Sequence, residues 1–193
     1  MKILFSILLI FSSSPIIADD IFDFQIGGIS IGDSLLDHMS EEHIKSHIKQ
    51  TRYMYDYLNE DFGEVYMFKK IQNYEYMSFF VKPNDKFFLI YELRGFVNYI
   101  EDFNGCKKKQ KEIVSKISNI FTNAKKTEQS FQSRHDPTGK STIDKVRFKL
   151  NSGDEVLVEC NNYEESLRLK NNWSEGLSVV ITTKQVTDWL NGN

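Results

Sequence analysis

The alternation of apolar and polar positions is clearest in the second half of the chain. In residues 143–150, IDKVRFKL, Val146, Phe148 and Leu150 fall on one side and Lys145, Arg147 and Lys149 on the other. That period of two marks a half-buried strand. A second alternating run, DEVLVEC, follows Asn151-Ser152-Gly153. Three loop residues with Gly153 in the left-handed position predict a hairpin. They fix its register: Phe148 meets Val156 and Val146 meets Val158 inside, while Lys149 meets Glu155 and Lys145 meets Glu159 outside. Each opposite-charge pair contributes only ~0.2–1 kcal/mol, but both faces agree on one register. LSVVITT predicts a further strand, and KQVTDWL a closing helix with Trp189 and Leu190 as packing residues.

Upstream, Phe22, Phe24 and Ile26 alternate with polar neighbours and predict a short strand stopped by Gly27-Gly28. A helix is expected from about Ser34 to Gln50, broken at Ser40. Ser40 is a good restart cap because Glu41 and Glu42 suit the positive first turn, and Ile44 and Ile48 then face the core. Tyr53, Tyr55 and Tyr57 fit a strand by alternation, while Tyr53 and Tyr57 also fit a helix face. YEYMSFFV and KFFLIYEL flank Pro83-Asn84-Asp85, a hairpin signal, and Gly95 predicts a bulge or bend before another short strand. Residues 104–124 carry Ile113, Ile117, Ile120, Phe121 and Ala124 at helical spacing. The polar stretch 122–142, with Pro137 and Gly139, reads as a linker between two sub-halves. The expected fold class is α+β: an antiparallel sheet with an N-terminal helix pair, one long central helix and a short C-terminal helix. It forms a single domain over residues 19–193.

The start of the chain changes where this domain is expected to work. Met1-Lys2, the apolar run to Phe11, the break at Ser12-Ser13-Ser14-Pro15 and the small residue Ala18 before Asp19 have the layout of a signal peptide over residues 1–18. The apolar run is shorter than the ~20 residues a membrane span needs, and no later segment of the mature chain reads as transmembrane. The net charge of −3 gives no drive toward nucleic acid. Heavy use of Lys, Asn, Ile and Phe suggests an AT-rich bacterial genome, hence a periplasmic or secreted destination. There, two cysteines predict one disulfide. Cys106 lies seven residues before Ile113 on the buried helix side, and Cys160 shares a strand face with Val156 and Val158. A bridge closes a loop of about 54 residues and contributes ~3–5 kcal/mol in the chain-entropy model.

Candidate chemistry is sparse. Gly32-Asp33-Ser34-Leu35 resembles the block that carries the nucleophile of GDSL esterases and lipases. The resemblance implies Ser34 as nucleophile, with oxyanion donors from a Gly-x-Asn-Asp block and a base from an Asp-x-x-His near the C-terminus. Neither block occurs here, and the last histidine is His135. A nucleophile needs its base, so the four letters read as a helix entry: Gly32 ends the extended segment, Asp33 caps and Ser34 opens the first turn. His43 and His47 have the spacing of two ligands on one helix face, but no third metal ligand is set by spacing. Lys107, Lys108, Lys109 and Lys111 crowd a helix N-terminus, where each cation costs ~0.3–1 kcal/mol. Glu101 and Asp102 offset part of this. The lysines are either a solvated face or a surface for an anionic partner, and Tyr53, Tyr55 and Tyr57 are candidates for an aromatic cleft. Asn172-Trp173-Ser174 is a glycosylation sequon.

Taken together, GISIGDSLLDHMSEEHIKSHI, NGCKKKQKEIVSKISNIF and DEVLVECNNY resemble a group of small exported periplasmic α+β proteins of AT-rich bacteria, a group that brings no activity with it. The opening Gly-Ile-x-Ile-Gly and helix are similar to small sheet-plus-helix modules of outer-membrane assembly lipoproteins, without their lipid-attachment cysteine. The expectation is an exported, non-enzymatic periplasmic protein that binds a protein or envelope component, with no cofactor, metal or catalytic set. The alternatives are a serine hydrolase using Ser34 and small-ligand binding in an aromatic cleft.

Overall fold

The structure, a computed structural model, describes residues 20–192. The expected leader and its cut between Ala18 and Asp19 lie outside those residues. A small hairpin, β1 (Gln25–Ile26) and β2 (Ile29–Ser30), precedes α1 (Glu41–Met54). Three strands follow, β3 (Gly63–Met67), β4 (Tyr76–Val81) and β5 (Ile90–Asn98), and then the long helix α2 (Phe103–Ile120). The second half runs β6 (Lys125–Gln132), β7 (Thr142–Lys149), β8 (Glu155–Asn162), α3 (Glu165–Asn171), β9 (Gly176–Thr182) and α4 (Lys184–Gly192). Strands β3 to β9 form one antiparallel sheet in the order β3-β4-β5-β9-β8-β7-β6.

Side-chain alternation gives this sheet two unlike faces. One carries Val65, Met77, Phe79, Leu93, Val179, Val158 and Phe148, and the β1–β2 hairpin, α1 and α2 cover it. Helix α2 buries Cys106, Gln110, Val114 and Ile117 there, above β8 and β9. Its link is partly covalent, because Cys106 is bonded to Cys160 of β8. It is also polar: Gln110 Nε2 donates to the carbonyls of Asp144 (3.0 Å) and Val158 (2.9 Å). The other face carries Glu64, Tyr66, Tyr76, Ser78, Glu92, Arg94, Phe96 and Glu159. Leu58, Phe62, Phe80, Val186 and Trp189 make a second, smaller core there under α4.

The β7–β8 hairpin has the predicted register at all four pairs, and Gly153 takes the left-handed conformation at φ +93°. The disulfide also matches. Elsewhere the structure corrects the sequence reading. In place of an N-terminal helix pair there are two 3-10 turns before α1, one at Ile21–Asp23 where the start of a strand was expected and one at Leu35–Asp37, with Ser40 capping α1 as expected. Asp33 does not cap that turn. Its Oδ2 accepts the Ser30 N–H at 2.8 Å, while the Ser34 hydroxyl caps through the Leu36 N–H. Residues 125–132 of the expected linker form strand β6, every residue of which is exposed. An edge strand open on both faces has no reason to alternate, so its sequence carries no period of two.

Gly95 makes no bulge; it pairs in register with Met77 and Val179. A Cβ there would meet the Tyr74 ring at 2.5 Å and Ile26 at 2.8 Å, so the glycine makes room for those side chains. The register shift falls instead at Phe80/Val81. Leu190 is exposed, and Val186 takes the buried position beside Trp189.

Candidate functional site

The charged face of the sheet forms the floor of a cleft of about 340 Å³. Its position follows from alternation: Tyr66, Ser78 and Arg94 are cross-strand neighbours in one row, and Tyr76 and Phe96 in the next. Helix α1 closes one side. Thr51 Oγ1 donates to the Glu64 carbonyl (2.8 Å), and His47 Nδ1 accepts the Tyr66 N–H (3.4 Å). These bonds occupy outward-facing backbone groups of edge strand β3, so the helix seals that edge. The opposite side is the loop around α3, where the Tyr163 and Trp173 rings lie 4.9 Å apart. The Tyr76 hydroxyl donates to Ser174 Oγ at 2.6 Å and ties this loop to the sheet.

Arg94 is the cation at the centre. Its Nε is sealed from solvent without a hydrogen-bond partner, and its nearest ion-pair contact is 3.6 Å, to Glu92 Oε1. The side chain nevertheless keeps 39% of its surface open, toward the cleft. Burial would lower its pKa, but Glu92, Glu159 and Glu64 outweigh this and hold the guanidinium firmly charged. Glu92 itself is pushed up by burial. For Glu159, Arg94 and Lys145 more than offset the burial that works against its charge. Burial and the Glu64 carboxylate push both the Tyr57 and the Tyr66 hydroxyls well above their ordinary range, so they remain neutral hydrogen-bonding groups. Burial, aided by the neighbouring His43, lowers the pKa of His47 and keeps it an acceptor.

Of the tyrosines singled out by sequence, only Tyr55 lines the cleft. Tyr57 stands behind it against Phe80 and Trp189 and donates to Glu64 Oε2 at 3.0 Å. Tyr53 is 81% exposed and lies outside. Arg94, Glu64, Tyr66, Tyr76, Tyr163 and Trp173 were not anticipated, although the strand members share the outward alternation of β3, β4 and β5. Ser34 is engaged by backbone groups: its hydroxyl donates to the Phe87 carbonyl (2.7 Å) and accepts from the Leu36 N–H. The His43 and His47 rings lie 4.5 Å apart, and among the described residues no group of three or more His, Cys, Asp or Glu is placed to hold a metal.

The lysine cluster lies elsewhere, on a groove of about 700 Å³ between α2 and the β6–β7 edge. Lys107 and Lys111 line it; Lys107 pairs with Asp144 at 2.7 Å, and outside the groove Lys109 pairs with Glu112 at 3.0 Å. Comparison of the chain with protein-family models, curated proteins and solved structures finds no match.

Proposed function

We propose that this is an exported, non-enzymatic binding protein of the periplasm, and that its cleft holds a small polar component of the cell envelope. The observation that carries the reading is Arg94: a charged guanidinium held 3.6 Å from Glu92, its side chain keeping 39% of its surface open to an aromatic-walled cavity. An acceptor oxygen of a ligand would meet the exposed part of this side chain in the cleft, not the sealed Nε. The walls supply flat apolar faces from Tyr66, Tyr76, Phe96 and Trp173, and the rim supplies the amides of Gln50, Asn161 and Asn172. Aromatic faces combined with amide, carboxylate and guanidinium groups suit a sugar ring, whose C–H face stacks while its hydroxyls hydrogen-bond. The cavity volume lies at the lower end of the ~300–1,000 Å³ usual for small-molecule sites, enough for one ring with its substituents. The hydrolase alternative has only its four letters behind it.

The test is calorimetric titration with soluble cell-wall mono- and disaccharide fragments. Saturable binding is expected, weakened about tenfold, the equivalent of ~1.4 kcal/mol, by Trp173→Ala and by Arg94→Gln. Absence of binding to every fragment by the folded protein would overturn the sugar reading. Binding that both substitutions leave unchanged would move it out of this cleft.

A further inference from the structure

The two edges of the sheet are treated differently. At β3, helix α1 occupies the outward Glu64 carbonyl and Tyr66 N–H through Thr51 and His47. At β6 nothing equivalent is present among the described residues. Ser133, which continues the strand, donates its N–H to the Ser141 carbonyl, so the β6 residues in phase with it bond to β7. By the alternation of an antiparallel ladder, Lys126, Glu128, Ser130 and Gln132 therefore turn their N–H and C=O groups outward. An eight-residue, fully exposed edge of this kind is a template for another strand.

Charge identifies what could use it. Helix α2 and β6 together carry seven lysines, Lys107, Lys108, Lys109, Lys111, Lys116, Lys125 and Lys126, against Glu112 and Glu128, in a chain whose net charge is −3. The groove between the two elements opens beside the outward backbone of β6, with Lys107, Lys111, Lys126 and Lys145 on its walls against Glu128 and Asp144. These acids pair with Lys126 and Lys107 at 2.7 Å and leave the walls net positive. A second copy of the chain pairing β6 to β6 would bring two such lysine sets together, and like charges across an interface suppress association. An acidic strand would be drawn to the same place.

We propose that β6 accepts an extended, acidic peptide segment of a partner protein as an eighth strand, with the partner's carboxylates over the lysines of the groove. This surface is separate from the cleft and does not depend on the reading given to it. The partner's backbone bonds to the outward groups of Lys126 to Gln132, and its alternate side chains face α2.

The probe is a fluorescein-labelled eight-residue peptide of alternating Glu and Val, followed by polarisation at low and high salt. Binding that weakens with salt is expected, reduced tenfold or more by the double substitution Lys111→Glu with Lys126→Glu. Glu128→Pro separates strand addition from simple charge attraction. It removes one outward N–H without touching the β7 ladder and also removes a negative charge, so strand addition loses affinity and a mere cation patch gains it. The same peptide N-methylated at alternate residues keeps its charge but loses one edge of donors. In the register whose methylated edge faces β6, binding to the unaltered protein should fall tenfold or more. Failure of the parent peptide to bind would overturn the proposal. So would undiminished binding after Glu128→Pro, undiminished binding of both N-methylation registers, or a dimer on light scattering that dissociates on Glu128→Pro.

Discussion

His47 sits where the neutral imidazole fits. Its Nδ1 accepts the Tyr66 N–H, and burial together with the nearby His43 keeps its pKa below 6.5. Below that pH the unfolded chain binds a proton that the folded chain resists. Stability from this residue is therefore present above pH 6.5 and lost as pH falls through it. Glu92 has the opposite sign: its raised pKa favours the fold while it stays protonated, and that contribution is lost as pH rises above 4.5 and through the folded value. The comparison with a variant isolates the histidine. Urea midpoints measured from about pH 7 down to about pH 5 should fall less steeply for His47→Gln than for the parent protein; equal slopes would show that His47 does not set the profile. At this scale the sequence reading did not single out Glu64, Tyr66, Arg94 or Tyr76. It could not show that they converge, because that depends on the pairing of strands far apart in the chain.

Among the elements, legibility followed burial. The β7–β8 hairpin could be read to the residue because one of its faces is apolar, the other is charged, and a glycine turn fixes the phase. Strand β6 was unreadable for the converse reason: no residue of it is buried, so composition alone had to speak, and it spoke for a loop. In α2 the predicted stripe was close but rotated. Ile113 and Ile120 are only partly buried, while Gln110 and Val114 face the sheet, because the disulfide and the two Gln110 hydrogen bonds set the helix's roll. The Cys106–Cys160 bond is the covalent tether of α2 to the second half. With a separation of 54 residues, removing it as Cys106→Ser with Cys160→Ser should cost about 4 kcal/mol in the chain-entropy model. Chemical denaturation under non-reducing conditions measures this. An unchanged midpoint would mean that α2 docks by packing alone.

For the molecule as a whole, strand order matters more than strand content. Two three-stranded meanders, β3-β4-β5 and β6-β7-β8, share no direct pairing; each is joined to β9, which pairs with β5 over seven residues on one side and with β8 over seven on the other. No local pattern in the sequence announces the β5–β9 pairing, since its partners lie 78 to 90 residues apart. At its start β9 needs Gly176, where φ is +144° and an added Cβ would come within 2.3 Å of the Val97 carbonyl. A chain ending at Glu175 should lose the cooperative transition rather than retain part of it. Unfolding followed by far-ultraviolet dichroism and by tryptophan fluorescence tests this; a sharp transition in the shortened chain would show that the meanders are independent.

The central place of β9 has a temporal side. The keystone is the last of the seven sheet strands to be synthesised, so until it emerges the two meanders have nothing to join them. Under the proposed export, this delay works in the protein's favour, because a translocation channel requires an unfolded thread. A sheet of this topology would close only after β9 had emerged, on the far side of the membrane, in the compartment where Cys106 and Cys160 can be oxidised.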